Sequence, residues 1–466
     1  MASATLPDSD WSQRHHPISF ARMLALKQLG SDVFESTSSA YPPMTQPRTY
    51  GGHVFAQSAW AAAKTVPKGL VIHNCTGHYI LVGNTNFPFR YHVQRVRDGG
   101  VYYLRKVEVF QDTSGSTNSS NAWASSETSN GASNGASNSA SNSASNSASN
   151  GTTTTTSIDK LGPPVFIATV SFKRDESHKH RQSVKPSERR RDFAHQEKPA
   201  DHIDRTYEVV LRGKRFEDHP FVQGADGIWP PFVPLDMMRL RTRTFPGLEM
   251  RKVDMRKYLD LVGFPRDAGA GDQARFKAAA KWKLLLFYRL LREQDVHPDA
   301  RVTQHQASSN SEKTSTSTNK SNSNEENENN NQEQLVPVED EDDPNLHACA
   351  HLYACDRNSL FLVQRVLGFS SLMIQLSSIA QTVVFHAPIE QLKMVDQHGQ
   401  RKVFVQESWT SNSGSDRVTH NSRLWNYETG TIIATTLQDG MFRVPVEGPP
   451  MLDSEASQPE PRQSKI

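Results

Sequence analysis

Residues able to do chemistry are scattered along this chain rather than gathered into a familiar signature. There are three cysteines, Cys75, Cys349 and Cys355. None forms a C-x-x-C pair, and Cys349 and Cys355 have no histidine at zinc-ligand spacing, so neither a metal nor a cofactor is expected. No G-x-S-x-G elbow, Walker loop or Rossmann glycine fingerprint occurs, which leaves nucleophilic-serine, phosphate-cradling and dinucleotide chemistries without support. His178 and His180 fall in Lys173–Arg191, a stretch with eight Lys/Arg against three acids. The whole chain carries 52 Lys+Arg against 50 Asp+Glu, a net charge of +2, so that stretch reads as a solvated basic linker and no nucleic-acid partner is expected. Three cysteines cannot build a disulfide framework and fit a reducing interior. No run approaches the ~20 apolar residues of a membrane span, and the N-terminal MASATLPDSDWSQ has no apolar signal core. The expectation is a soluble intracellular protein.

Two polar tracts dilute the core. Residues 113–157 hold 16 Ser, 8 Asn and 8 Thr, with Glu127 as the sole charge and a Ser-Asn-Gly/Ser-Ala tetrad repeated five times from Ser129 to Ala148. Residues 306–344 are Ser/Thr/Asn/Glu-rich and end in five consecutive acids, Glu339 to Asp343. Neither tract can bury enough apolar surface to offset an ordering cost of roughly 1–2 kcal/mol per residue. Both are expected to be disordered insertions.

The elements that must position any site occur in two similar sets. Val54, Phe55, Ala59, Trp60 and Ala63 fall at helical spacing after Gly51-Gly52 and before Pro67. Strand-like segments follow at Phe89–Val93, 101–110 and 165–172, so the first polar tract lies between two strands, where a hairpin loop lengthens cheaply. The second half repeats the order: an apolar helix over 351–369, then strands near Ile379–His386, Val403–Ser408, Val418–Trp425 and Thr431–Val444. Between the sets, 277–294 predicts an amphipathic helix, and periodicity leaves the Pro-rich 227–238 unplaced. A buried helix followed by antiparallel strands, occurring twice, implies an α+β protein in which a helix wrapped by a sheet has been duplicated.

Specific runs then resemble a family. RTYGGHVFAQSAWAAAKTVP (48–67), IHNCTGHYILVGNTNFPFRYHVQRVRDGG (72–100) and VFIATVSF (165–172) look like the first half of the type II acyl-CoA thioesterases. ACDRNSLF (354–361), SSIAQTVVFHAPI (377–389) and IIATTLQDGMFRV (432–444) look like the second. The resemblance implies a double hotdog fold, two tandem helix-wrapped-by-antiparallel-sheet units. The units would be 17–174 and 345–446, joined by a basic linker and connecting region (175–300) and followed by a flexible tail, 447–466. It also implies hydrolysis of fatty acyl-CoA to free acid and CoA by a water held between an Asp, a hydroxyl and a Gln. Carried onto this chain, those residues are Asp356, Ser378 and Gln438, separated by 22 and then 60 residues. Asp356 would act as base, with Ser378 and Gln438 orienting the water and helix N-terminal amides receiving oxyanion charge. Gly51, Gly52 and His73 become substrate-binding candidates.

Each residue also has a plain structural reading. Asp356 before an apolar run suits a helix N-cap, Ser370, Ser371 and Ser377 compete with Ser378, Gln438 suits a turn-flanking polar residue, and His73 suits a structural histidine. The family commonly carries Asp-His two positions after the hydroxyl residue, where this chain has Ala380-Gln381, a change expected to loosen the bonding around Ser378. The final Ser464-Lys465-Ile466 is similar to a peroxisomal address, which implies an import receptor as partner and a peroxisomal rather than cytoplasmic place. A homo-oligomer is compatible with the resemblance. Two other functions fit the same features: a hotdog enoyl-CoA hydratase, or a non-catalytic acyl-CoA binder or scaffold.

Overall fold

The computed structural model describes residues 18–38, 40, 48–112, 162–174, 198–219, 245–263, 274, 277–278, 280–296, 341–357, 359–360, 362 and 375–443. The tract at 113–157, most of 306–344, most of the basic stretch, the Pro-rich segment and the tail with Ser464-Lys465-Ile466 lie outside the described residues. Among the described residues, no helix is long and apolar enough to cross a membrane.

Among the described residues, twelve antiparallel strands form one sheet. The first six are β1 (Leu26–Gly30), β2 (Val33–Ser36), β3 (Leu70–Tyr79), β4 (Arg90–Asp98), β5 (Tyr102–Phe110) and β6 (Phe166–Arg174). The second six are β7 (Leu248–Lys252), β8 (Leu284–Leu290), β9 (Gln375–Phe385), β10 (Phe404–Gly414), β11 (Arg417–Asn426) and β12 (Ile432–Arg443). Read from the first edge, the order is β1-β2-β4-β5-β6-β3; read from the other edge, it is β7-β8-β10-β11-β12-β9. The two orders are the same. They meet where β3 pairs with β9, and there Thr76 Oγ1 lies 3.1 Å from Thr382 Oγ1. Each half even repeats an irregularity of register, β3 skipping His73 against β6 and β9 skipping Ile379 against β12. Both skipped residues lie three positions before the seam threonine. The sheet is therefore built from two equivalent six-stranded units, each with one long helix between its second and third strands.

Those helices are Gly51–Ala63 and Pro344–Cys355. The first is alanine-rich and ends before Pro67, which cannot continue a helix. The second begins at Asp343, whose side chain accepts from the Asn345 N–H, with Pro344 in the first turn. Nearly every residue of both is buried, because each packs on the sheet and on the other. The Tyr50 hydroxyl donates to the Tyr353 carbonyl at 2.7 Å, and the two rings meet edge to face at 5.1 Å.

The structure corrects several expectations. The second-half helix covers 344–355 rather than starting at 351, so the end of the acidic run caps a helix, and Asp356 stands at the C-cap rather than at an N-cap. The apolar centre of the predicted amphipathic helix at 277–294 is instead strand β8, LLLFYRL, flanked by β7 and β10. A short apolar run fits a strand buried on both faces as well as a helix, and only its neighbours decide. The stretch 175–300 is thus more than a linker, since β7 and β8 belong to the second unit. The first polar tract does join two directly paired strands, β5 and β6.

Candidate active site

Asp356 follows directly on the last turn of the Pro344–Cys355 helix, and Gln438 lies on β12 and Ser378 on β9. The structure brings all three together. Gln438 Nε2 donates to Asp356 Oδ1 at 2.6 Å and to Ser378 Oγ at 2.8 Å. One carboxamide therefore spends both its N–H bonds joining the carboxylate to the hydroxyl. Asp356 is 9% exposed and Gln438 1%, while Ser378 is half-buried. Ser377 is exposed and its hydroxyl turns to its neighbour's carbonyl, while Ser370 and Ser371 lie outside the described residues.

The other helix completes the cluster. Its Gly52 N–H donates to Asp356 Oδ2 at 2.7 Å, so the positive end of the Gly51–Ala63 helix faces the carboxylate. Glycine is required at both positions by space. A Cβ on Gly51 would stand 2.9 Å from Asp356 Oδ2, and one on Gly52 would stand 2.6 Å from Tyr50 Cε1 and 2.7 Å from the Tyr353 carbonyl. The glycines thus approach the carboxylate closely.

Burial raises Asp356 from the ordinary carboxylate range to about 6, against the opposing pull of the Gln438 bond, the Gly52 N–H, Ser359 and the Arg357 charge. Two other inward carboxylates behave oppositely. Glu407 bonds Lys283 at 2.6 Å and the Tyr207 hydroxyl at 2.6 Å, and Glu249 pairs with Arg251 and Arg289. Burial pushes both upward, but their partners outweigh it and both pKa values fall. Such pairs hold charge for structure. Asp356 is held by neutral donors and titrates near neutrality, the behaviour of a proton acceptor.

Sequence reasoning missed a second layer. The Tyr79 hydroxyl donates to Gln381 Oε1 at 3.0 Å, and Gln381 Nε2 donates to the Cys355 sulfur at 3.0 Å. Gln381, 0% exposed, therefore ties β3 to the residue before Asp356. A lone amide in the strand run SIAQTVVF was the available signal. At Ala380, where loosened bonding was expected, Ser378 takes its bond from Gln438. His73 does not join the cluster: its Nδ1 lies 3.0 Å from Ser171 Oγ, and its ring packs against Tyr102. Its neighbour Asn74 pairs with Val384, six residues along β9 from Ser378, about 20 Å away at strand rise. Among the described residues no group of three His, Cys, Asp or Glu could hold a metal ion.

A duplicated sheet over two buried helices, with a neutral-range carboxylate at their junction, defines a class of α+β protein with an internal polar site. Comparison shows what part of the chain is similar to. Residues 40–125 match the model of the family described as acyl-CoA thioesterase N-terminal domain, so the resemblance read from the sequence holds over that segment. The chain is 30% identical over 89 residues to acyl-coenzyme A thioesterase 8 of Mus musculus, covering 19% of this chain and 27% of the mouse protein. It is 28% identical over 64 residues to acyl-CoA thioesterase 2 of Haemophilus influenzae, covering 14% of this chain and 22% of that one. These matches span about a quarter of the relatives' length. Similar solved structures include acyl-CoA thioesterase II TesB2 from Mycobacterium marinum, with a TM-score of 0.44, 16% identity and coverage of 92% of this chain and 98% of that one. A hot dog fold protein of unknown function from Alicyclobacillus acidocaldarius gives a TM-score of 0.46, 13% identity and coverage of 92% and 98%.

Proposed function

We propose that this protein is a double hotdog hydrolase that cleaves fatty acyl-CoA thioesters to a free fatty acid and CoA. The observation that carries the reading is the bonding of Gln438 to both Asp356 and Ser378 at the junction of the two helices. A thioester carbonyl is electrophilic and CoA thiolate is a competent leaving group, so the reaction needs an oriented water, a base and a place for negative charge.

Asp356, ionised above a pKa of about 6, accepts a proton from a water bound beside it. Its Oδ1 accepts from Gln438 and Ser359, while Oδ2 accepts one N–H, from Gly52, and keeps a lone pair for that water. Ser378, its oxygen occupied by Gln438, donates its hydroxyl hydrogen to the same water and turns a lone pair toward the carbonyl carbon. The new C–O bond forms as the carbonyl electrons move to oxygen. When the carbonyl re-forms, the C–S bond breaks and the departing sulfur takes the proton from Asp356. Charge that develops is favoured by the positive end of the Gly51–Ala63 helix. No metal or second substrate enters the balance.

The test is a thiol-release assay over acyl chains of increasing length, run beside absorbance of an enoyl-CoA. Free thiol from saturated acyl-CoA supports the hydrolase. Loss of enoyl absorbance without thiol would instead make the protein a hydratase, and binding without turnover would make it an acyl-CoA carrier. The reading of Ser464-Lys465-Ile466 as a peroxisomal address belongs to the same proposal. Imaging the chain with and without that tripeptide checks it, and identical distributions would reject it.

A further inference from the structure

The hydrogen bonds of Gln438 leave one atom unserved. Both N–H bonds are spent on Asp356 and Ser378, while Oε1 is buried with no donor among the described residues. Buried carbonyl oxygens without a donor are uncommon and call for a partner or an ordered water. Directly opposite Gln438 on β11 stands His420, and opposite His420 on β10 stands Thr410. Residues paired across antiparallel strands share a face of the sheet, so the three side chains form one row.

His420 is 1% exposed, and neither ring nitrogen has a partner among the described residues. Thr410 Oγ1 is likewise buried and unpartnered. Burial pushes His420 down to about 3, which leaves a neutral imidazole with one N–H and one acceptor nitrogen. The unmet groups therefore match in number and kind. The threonine hydroxyl supplies a donor, the imidazole an acceptor and a donor, and Gln438 Oε1 an acceptor. Cross-strand Cβ atoms lie roughly 4.5–5.5 Å apart, so one bridging water or one rotamer change closes each link.

We propose that His420 is a positioning residue for the Gln438 carboxamide, joined to it and to Thr410 in one hydrogen-bonded chain across β10, β11 and β12. The imidazole N–H on Oε1 decides which way the amide faces. It holds both Gln438 N–H bonds toward Asp356 and Ser378 and opposes the flipped amide, which would set oxygen against carboxylate oxygen. This inference rests on the hydrolase reading and adds a group that touches no reacting atom.

The experiment is steady-state thiol release by His420→Val, with His420→Gln as the variant that restores an N–H donor, at several pH values. In the valine variant, kcat falls about tenfold with KM unchanged, and the glutamine variant recovers part of the loss. Weakening of the Gln438 bond also moves the acid limb of the rate upward, since that bond lowers the Asp356 pKa. The other titratable or charged groups around Asp356 are Cys355 and Arg357 beside it and Tyr50 and Tyr79 facing it, and none of these is changed. Thr410→Val, at a less buried position, gives a loss of about threefold in the same sense and covers the case in which His420→Val does not fold. Added to Gln438→Ala, His420→Val produces no further loss if it acts through that amide. Wild-type kcat and an unmoved limb in a folded His420→Val, or a fully additive loss in the double variant, would overturn the proposal while leaving the hydrolase standing. Absence of thiol release by the wild type would instead remove the hydrolase reading itself.

Discussion

In the second unit Gln438 lies opposite Gln381 across β12 and β9; in the first, Val170 lies opposite Cys75 across β6 and β3. Counted from the seam threonines Thr76 and Thr382, Ser378 occupies the place of Ile72. At the helix C-caps Asp356 answers to Lys64, whose ammonium sits 4.0 Å from the Trp60 ring centroid. The helix N-termini differ as well. Gly52 leaves its N–H for Asp356, whereas Asn345 bonds the Ile72 N–H and the Leu70 carbonyl, both at 2.9 Å. Equivalent backbone therefore supports an apolar junction in one unit and a polar junction in the other. Ile72 and Val170 are 1% and 0% exposed. Burying polar groups costs free energy unless each is bonded, so the polar junction demands the network from Gln381 to Gly52 that the apolar junction does without.

That contrast can be attacked residue by residue. Asp356→Asn keeps the shape but removes the base, and kcat for thiol release should fall by about a thousandfold while thermal unfolding stays cooperative; near-normal turnover would end the assignment. Gln438→Val copies Val170 into the second unit and should cost about a hundredfold, read in the same assay, because it frees both Asp356 and Ser378. His73→Ala, in the unit without the carboxylate, should leave kcat and KM within about twofold, and a larger loss would move substrate binding toward β3 and β6.

Much of this architecture was legible in the chain. Whereas β1, β2, β3 and β7 were not read, the Gly51–Ala63 helix, strands β4 to β6 and β9 to β12, and the repeat of a helix followed by strands came from periodicity and turn residues. Strand β8 did not, because LLLFYRL carries no alternation and its identity comes from partners on both sides. The start of the second helix was hidden in an acidic run, where Asp343 and Pro344 gave the capping signal that bulk composition masked. Asp356, Ser378 and Gln438 came from resemblance rather than spacing, since only folding converts separations of 82 and 60 residues into bonds under 3 Å. Gln381 showed in the sequence only as a lone amide in a strand run, and His420 was unreadable for a different reason: its role shows only when its unpaired ring nitrogens are counted.

The most direct test of the buried base is the pH dependence of kcat/KM for thiol release by the intact chain. Asp356 must be ionised to take a proton from water, and the ionised fraction falls as pH drops through about 6. The rate should therefore be level above about pH 7 and decline tenfold per pH unit below the midpoint. A profile that stays level until about pH 4, the range of an ordinary carboxylate, would contradict the account.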